Sequence, residues 1–195
     1  MNDDNESQKS KQLFQLHGKY IISPVKSGFL LFNQNAAHQR ILYEKYLYQL
    51  NHKKSVTQQL LFPKTIELDL ADANLLKNIL TELNELGIDI KEFGSKSFII
   101  HGLPTELNGR DEQIIIHSLI EQFKMNLDLK LEIFDNIARS LATQSAIQLG
   151  QFLMVDEMQE LIDKLFACEV PYSCPSGDKT FIKLEFEDLD RKFKT

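Results

Sequence analysis

The chain has 195 residues, of which 43% are hydrophobic, and this composition predicts a packed globular core rather than disorder. Its apolar runs fall well short of the roughly 20 residues that a membrane span needs, and its polar first twelve residues predict a linker rather than a signal peptide. A net charge of −6 argues against a surface that attracts DNA as a whole, and two cysteines, Cys168 and Cys174, favour a reducing cytoplasm over a disulfide scaffold.

The first fifty residues predict a β-hairpin followed by a helix. Apolar and polar residues alternate over residues 14–22, which is typical of a half-buried strand, and residues 29–32 form an apolar run typical of a buried one. The segment Lys26-Ser27-Gly28 predicts the turn between them. Asn35 is a good helix N-cap because its side-chain oxygen can accept from a free backbone N–H, so we predict a helix over residues 36–50.

The middle of the chain predicts a second group of strands and helices. Residues 51–57 are polar and predict a junction between two lobes. Alternation then predicts a strand over residues 66–70, Asp72 and Gly87 bound a helix, and Gly94-Ser95 lies at the centre of a predicted hairpin.

The last third predicts three helices and one strand. Two helices are expected over residues 111–124 and 131–149, and a third begins near Asp156, which forms a capping-box pattern with Gln159. Residues 182–186 alternate and predict the last strand. Strands and helices are mixed along the chain without a regular βαβ alternation, which predicts an α+β fold.

The segment from Asn33 to Glu44, N-Q-N-A-A-H-Q-R-I-L-Y-E, is the most informative in the chain. It resembles the motif D-Q-H-A-x-x-E-x-x-x-x-E of the C-terminal dimerisation and endonuclease domain of the MutL family of DNA mismatch-repair proteins. A second segment, C-P-S-G-D-K-T from Cys174, resembles the family's C-P-H-G-R-P-T, and Ala142-Thr143-Gln144 aligns with a short A-C-R or A-C-K segment.

The resemblance implies a two-lobed domain with a discontinuous first lobe. Residues 13–50 together with residues 145–195 would form a dimerisation lobe, and residues 51–144 would form an inserted regulatory lobe. Residues 1–12 would be a linker, and the motif helix would connect the two lobes.

The resemblance also implies where a metal site would lie and which ligands are missing. Asn33, Asn35, Gln39, Glu44, Thr143, Cys174 and Ser176 occupy the positions of the nuclease motifs. Among the positions that hold metal in the family, only Cys174 keeps a ligand side chain. Zinc prefers thiolate, imidazole and carboxylate donors and needs three or four of them, so we expect no metal and no nuclease activity. The alternative is a rearranged site built from His38, Glu44, Cys168 and Cys174.

A second motif predicts a docking segment. Gln58-Gln59-Leu60-Leu61-Phe62-Pro63 fits the pattern Q-x-x-L-x-P, which resembles the motif that binds the bacterial sliding clamp. Leu61 and Pro63 would enter an apolar pocket of the clamp, and Gln58 would form hydrogen bonds at its rim. The competing interpretation is that Leu60 to Phe62 open a strand and Pro63 marks a bend.

These features leave three hypotheses for function. The first is a non-catalytic domain of a MutL-type mismatch-repair protein that forms a homodimer and docks onto the replication sliding clamp, without a cofactor of its own and without membrane contact. ATP and Mg²⁺ are expected only in an N-terminal region, and MutS and mismatched DNA would be partners of the full-length protein. The second is a metal-dependent nicking endonuclease with a rearranged site, and the third is a structural module without clamp contact.

Overall fold

A computed structural model describes residues 12–53, 55–107, 109–127, 129 and 131–194, so the predicted linker lies almost wholly outside the described residues. The fold mixes helices with two antiparallel sheets, which confirms the α+β prediction. In the part of the chain that the structure describes, every helix is too short or too polar to cross a membrane. In chain order the elements are β1 (Phe14–Leu16), β2 (Tyr20–Val25), β3 (Gly28–Asn33), α1 (Gln34–His52), β4 (Gln58–Glu67), α2 (Leu70–Asn78), α3 (Leu80–Glu85), β5 (Asp89–Glu92), β6 (Ser97–Leu103), α4 (Glu112–Leu127), α5 (Ile133–Ser145), α6 (Val155–Phe166), β7 (Phe181–Glu185) and α7 (Phe186–Phe193).

The chain divides into two compact units. The first comprises the described residues up to Ile41 together with those from Ile147 onwards, and the second runs from Leu42 to Ala146. The division therefore falls inside α1, nine residues before the predicted boundary at residue 50. The reason is that Leu42, Tyr46 and Leu50 are all buried in the core of the second unit.

The first unit contains a four-stranded sheet in the order β1-β2-β3-β7. The prediction of one strand over residues 14–22 is wrong, because His17 and Gly18 turn the chain between β1 and β2. Both have positive φ values, 51° and 56°, and the Lys19 N–H donates to Leu16 O at 2.9 Å. A side chain at Gly18 would also lie 2.5 Å from the Gly150 carbonyl carbon, so the turn needs glycine there.

One face of this sheet carries the core of the first unit. Ile21, Phe32 and Phe181 form a row across β2, β3 and β7, and α6 supplies the opposing apolar side chains. The helix begins one residue earlier than its predicted cap, because the Met154 N–H donates to the Glu157 carboxylate at 2.7 Å. The buried side chains of α6 are Met158, Leu161, Ile162 and Leu165.

The second unit packs its helices against a sheet in the order β4-β6-β5. The predicted hairpin around Gly94-Ser95 is confirmed as the antiparallel pair of β5 and β6. The helix predicted to begin at Asp72 starts earlier, because the Asp69 carboxylate accepts from the Asp72 N–H at 2.8 Å and caps α2. That predicted helix is also two helices, α2 and α3, which meet at Ile79.

Candidate functional site

Asn33 caps α1, and Asn35 has a different partner. The Asn33 Oδ1 accepts from the Ala36 N–H at 3.2 Å, so the cap lies two residues before the predicted cap at Asn35, and α1 begins at Gln34. The Asn35 amide instead donates to Ile147 O at 2.8 Å. The backbone N–H of Ile147 in turn donates to His38 Nδ1 at 3.0 Å, so side chains of α1 bind both polar groups of residue 147.

The motif positions of α1 continue into a chain of neutral hydrogen bonds. The Gln39 Nε2 donates to Asn35 Oδ1 at 2.8 Å, and the Ser176 hydroxyl donates to Gln39 Oε1 at 3.3 Å. The structure thus brings together Asn35, Gln39 and Ser176, three positions that the resemblance assigns to one metal site. They satisfy one another and the Ile147 carbonyl.

The loop that carries Ser176 is held beside α1 by its backbone. The Cys174 N–H donates to Asp178 O at 2.8 Å, and the Gly177 N–H donates to Cys174 O at 3.0 Å, which closes a tight turn. Arg40 donates through Nε to Ser173 O at 2.6 Å. Cys174 is 2% exposed, so its thiol is buried beneath the turn.

These donors do not fit a metal ion. Amides and a hydroxyl carry no charge to offset the desolvation of a dication, and Cys174 alone cannot form a stable zinc site. Among the described residues, no three His, Cys, Asp or Glu side chains lie close enough together to hold one ion. The alternative ligand set of His38, Glu44, Cys168 and Cys174 is therefore not assembled.

Glu44 and Thr143, the remaining motif positions, belong to the second unit. The Thr143 hydroxyl donates to Arg139 O one turn earlier in α5 at 2.9 Å, so its donor is used within the helix. Glu44 is half-buried on α1.

The predicted docking segment forms a bulge on the edge strand β4. Gln59 pairs with Gly102 and Lys64 with Ile100, so four residues of β4 oppose a single residue of β6. Leu60 packs against the core of the second unit, whereas Leu61 is 93% exposed and Phe62 is 78% exposed. The bulge therefore presents two apolar side chains to solvent, next to an exposed Gln58 and Pro63. The bulged residues are Leu60, Leu61, Phe62 and Pro63.

The second face of the first unit's sheet is apolar, and among the described residues no helix of this unit covers it as α6 covers the first. Paired residues share a face, and Phe14, Ile22, Leu31 and Ile182 form one continuous row across all four strands. Each side chain of this face remains at least partly accessible to solvent. We call it the outer sheet face, and it comprises Phe14, Leu16, Tyr20, Ile22, Pro24, Phe29, Leu31, Ile182 and Leu184.

By sequence, Ile182, Leu184 and Phe186 together with the helix of Met158 to Phe166 fit either a surface for a second copy of the chain or ordinary core. The structure separates the two, because Met158, Leu161, Ile162 and Leu165 of α6 are buried in the core whereas Ile182 is 39% exposed. The alternation in β1 and β2 was the signal for the outer sheet face. Strand pairing was needed to show that these residues form a row with Leu31 and Ile182.

Two titratable groups of the second unit have structural partners. Burial raises the pKa of Tyr46, whose hydroxyl donates to Ser145 Oγ at 3.1 Å. Burial is the largest single influence on Glu106 and acts to raise its pKa, but the hydrogen bond and charge of the Lys45 ammonium, together with hydrogen bonds from the Glu106 N–H and Thr105, outweigh it and hold that pKa below its usual value.

Comparison with known families identifies the domain. The family model described as "MutL C terminal dimerisation domain" matches residues 13–153. The chain belongs to this family. The matched region includes the α1 motif, the β4 bulge and all of the second unit.

Curated proteins named "DNA mismatch repair protein MutL" are similar over nearly the whole chain. The protein of Chlorobium phaeobacteroides is 40% identical over 195 residues, which covers 98% of this chain and 31% of the relative. The MutL of Chlorobium limicola is 42% identical over 93% of the chain and 29% of the relative, and that of Chlorobaculum tepidum is 40% identical over 95% and 30%. The chain thus spans about a third of the length of these MutL relatives.

Proposed function

We propose that this MutL C-terminal domain is a non-catalytic module that homodimerises and docks onto the replication sliding clamp. The observation that carries the proposal is the hydrogen-bond chain through Asn35, Gln39 and Ser176, which retains the framework of the nuclease motif without its charged donors. The first unit would be the dimerisation lobe, and the second would be the regulatory lobe.

The outer sheet face supports homodimerisation through the first unit. A row of apolar side chains across four paired strands forms a contiguous patch, and such patches mark interaction sites because their exposure to water is unfavourable. A two-fold dimer would place the same face of each copy against the other, so the two copies contribute identical surfaces. The dimer would hold two full-length chains together.

The β4 bulge supports clamp docking. Leu61 and Phe62 make little contact with their own chain, so a partner's pocket could bury them without disturbing the fold. Short segments of this kind typically bind with micromolar affinity, and a dimer on a ring-shaped clamp would gain avidity.

The docking proposal is tested by Gln58→Ala combined with Leu61→Ala, measured as binding to the purified clamp by surface plasmon resonance. Loss of binding with an intact dimer is expected. Gln59→Ala is the matched control, because it removes a neighbouring amide that bonds to Asp89 at 3.3 Å. Clamp binding by the double variant equal to that of the control would contradict docking through this segment.

The inactive-site proposal is tested by metal analysis of the isolated protein and by calorimetric titration with zinc and then manganese. We expect neither bound metal nor heat of binding. A positive control combines Asn35→His, Gln39→Glu and Ser176→His, which returns three donors beside Cys174. The side-chain atoms at these positions already lie 2.8 and 3.3 Å apart, so the variant is expected to gain zinc affinity.

The rival is a MutL nicking endonuclease with a rearranged site. It requires a stoichiometric metal in the unmodified protein and nicking that disappears with Cys174→Ala or Glu44→Ala. That result would overturn the non-catalytic proposal. On the leading proposal, strand incision comes from another protein, and ATP, Mg²⁺, MutS and mismatched DNA are bound through other regions of the full-length chain.

A further inference from the structure

The last helix, α7, is amphipathic and has little cover from its own chain. Phe186, Leu189 and Phe193 follow one another at helical spacing and form a single apolar stripe. Phe186 is 53% exposed and Phe193 is 87% exposed, and the main neighbour of α7 is the strand that precedes it. Charged residues occupy the other side, including an ion pair of Arg191 with Asp188 at 2.8 Å.

A helix of this length needs a packing partner. α7 has 8 residues, whereas isolated helices shorter than roughly 12–15 residues are marginal in water. All residues of α7 remain partly or fully exposed, so burial within the described part of the chain supplies little of the stability it needs. A surface beyond the described residues would have to cover the stripe.

The outer sheet face is too small to hold a dimer by itself. Its strands have three, six, six and five residues, and each residue occupies roughly 16 Å² of a sheet. The face therefore measures about 320 Å² in plan, and stable interfaces bury about 800 Å² per partner. Even if the protruding side chains doubled this area, it would stay below about 800 Å² per partner, so the interface would need a further apolar surface.

We propose that α7 is part of the dimer interface and that its apolar stripe packs against a second copy of this chain. The inference rests on the proposed dimerisation through the outer sheet face. α7 continues directly from β7, whose Ile182 and Leu184 belong to that face, and the Phe186 N–H donates to Ser27 O beside the β2–β3 turn. The stripe thus starts at the edge of the apolar surface that it would extend.

The test compares two double variants by sedimentation equilibrium over a dilution series. Leu189→Ser with Phe193→Ser removes two of the three apolar side chains of the stripe and is expected to weaken the dimer by at least about 30-fold, because each change occurs in both copies. Glu187→Ser with Lys192→Ser is the control on the charged side of the same helix, and it is expected to change the dimer by less than about threefold. Equal dimer affinity for the two variants would overturn the inference.

Hydrogen exchange gives a second readout that does not depend on these variants. The backbone amides of α7 are expected to be protected in the dimer and to exchange freely after dilution to the monomer. Free exchange in the dimer, or protection that survives dissociation, would also overturn the proposal.

Ile182→Asp distinguishes failure of the sheet interface from failure of the α7 contact. If it yields monomers while the α7 variant dimerises normally, the sheet interface stands and the α7 contact fails; if neither variant changes the dimer, both fail.

Discussion

Ile182 is the second residue of β7, ends the apolar row of the outer sheet face, and is the best single position at which to test the dimer. It is 39% exposed, and full burial of an isoleucine side chain contributes about 1.5–3 kcal/mol. Covering the remaining fraction therefore contributes about 0.8 kcal/mol in each copy. Ile182→Ala removes this from both copies of a two-fold dimer, about 1.6 kcal/mol in total, which corresponds to a roughly 15-fold weaker dimer.

The assay is sedimentation equilibrium across a dilution series, with thermal unfolding in parallel to show that the monomer remains folded. Ile182→Asp should be more severe, because a dimer would bury two carboxylates against an apolar row. Phe62→Ala is the control, since it removes an apolar side chain that is 78% exposed in the other unit. A dimer constant for Ile182→Ala that matches the control would refute the assignment of the interface to the outer sheet face.

Three further results are expected from the contacts described. In a urea titration, Leu61→Ala should leave the free energy of unfolding unchanged within about 0.5 kcal/mol, because Leu61 is exposed. The neighbouring Leu60 packs on the core, so Leu60→Ala should lower the free energy of unfolding by about 1 kcal/mol or more. Gln39→Ala breaks the hydrogen-bond chain in the middle and should lower the free energy of unfolding by about 1–2 kcal/mol. EDTA should leave the melting temperature of the unmodified protein unchanged, whereas a melting temperature that falls with EDTA would indicate a bound metal. The pKa of Glu106 is lower in the folded than in the unfolded protein, so its pairing with Lys45 stabilises the fold above the unfolded pKa and is lost as the pH falls through the folded pKa. Glu106→Gln should therefore lower the free energy of unfolding at neutral pH by less than about 1 kcal/mol and reduce its fall at acid pH. An unchanged fall at acid pH would show that the pair does not contribute.

The pattern of apolar and polar residues predicted most elements of the fold, and it failed where backbone conformation or a local hydrogen bond set the bounds of an element. The strand expected over residues 14–22 was split by two consecutive residues with positive φ, a conformation that alternation does not reveal. The caps of α1 and α2 shifted to Asn33 and Asp69 because several side-chain acceptors lie near each helix start and the backbone geometry selects one. The start of α6 shifted because the Met154 N–H finds its acceptor in the Glu157 carboxylate. The strand predicted at residues 182–186 ends at Glu185, and α7 follows without a break.

The candidate site was predictable in identity but not in arrangement. The amides at positions 35 and 39 and the hydroxyl at position 176 are visible in the sequence, and their chemistry alone makes a poor metal site. The hydrogen bond between Ser176 and Gln39 was not predictable, because these residues are 137 positions apart in the chain. The exposure of Leu61 likewise depends on a bulge that strand pairing creates.

The sequence by itself determined the family of this domain, its α+β class and the loss of charged donors from the nuclease motif, since side-chain chemistry needs no fold to be known. The tertiary structure decided which polar groups satisfy one another, which helix face is core, and which apolar row remains uncovered. The physical reason is that hydrogen-bond satisfaction and burial are properties of residues brought together from distant parts of the chain, as in the row from Phe14 to Ile182.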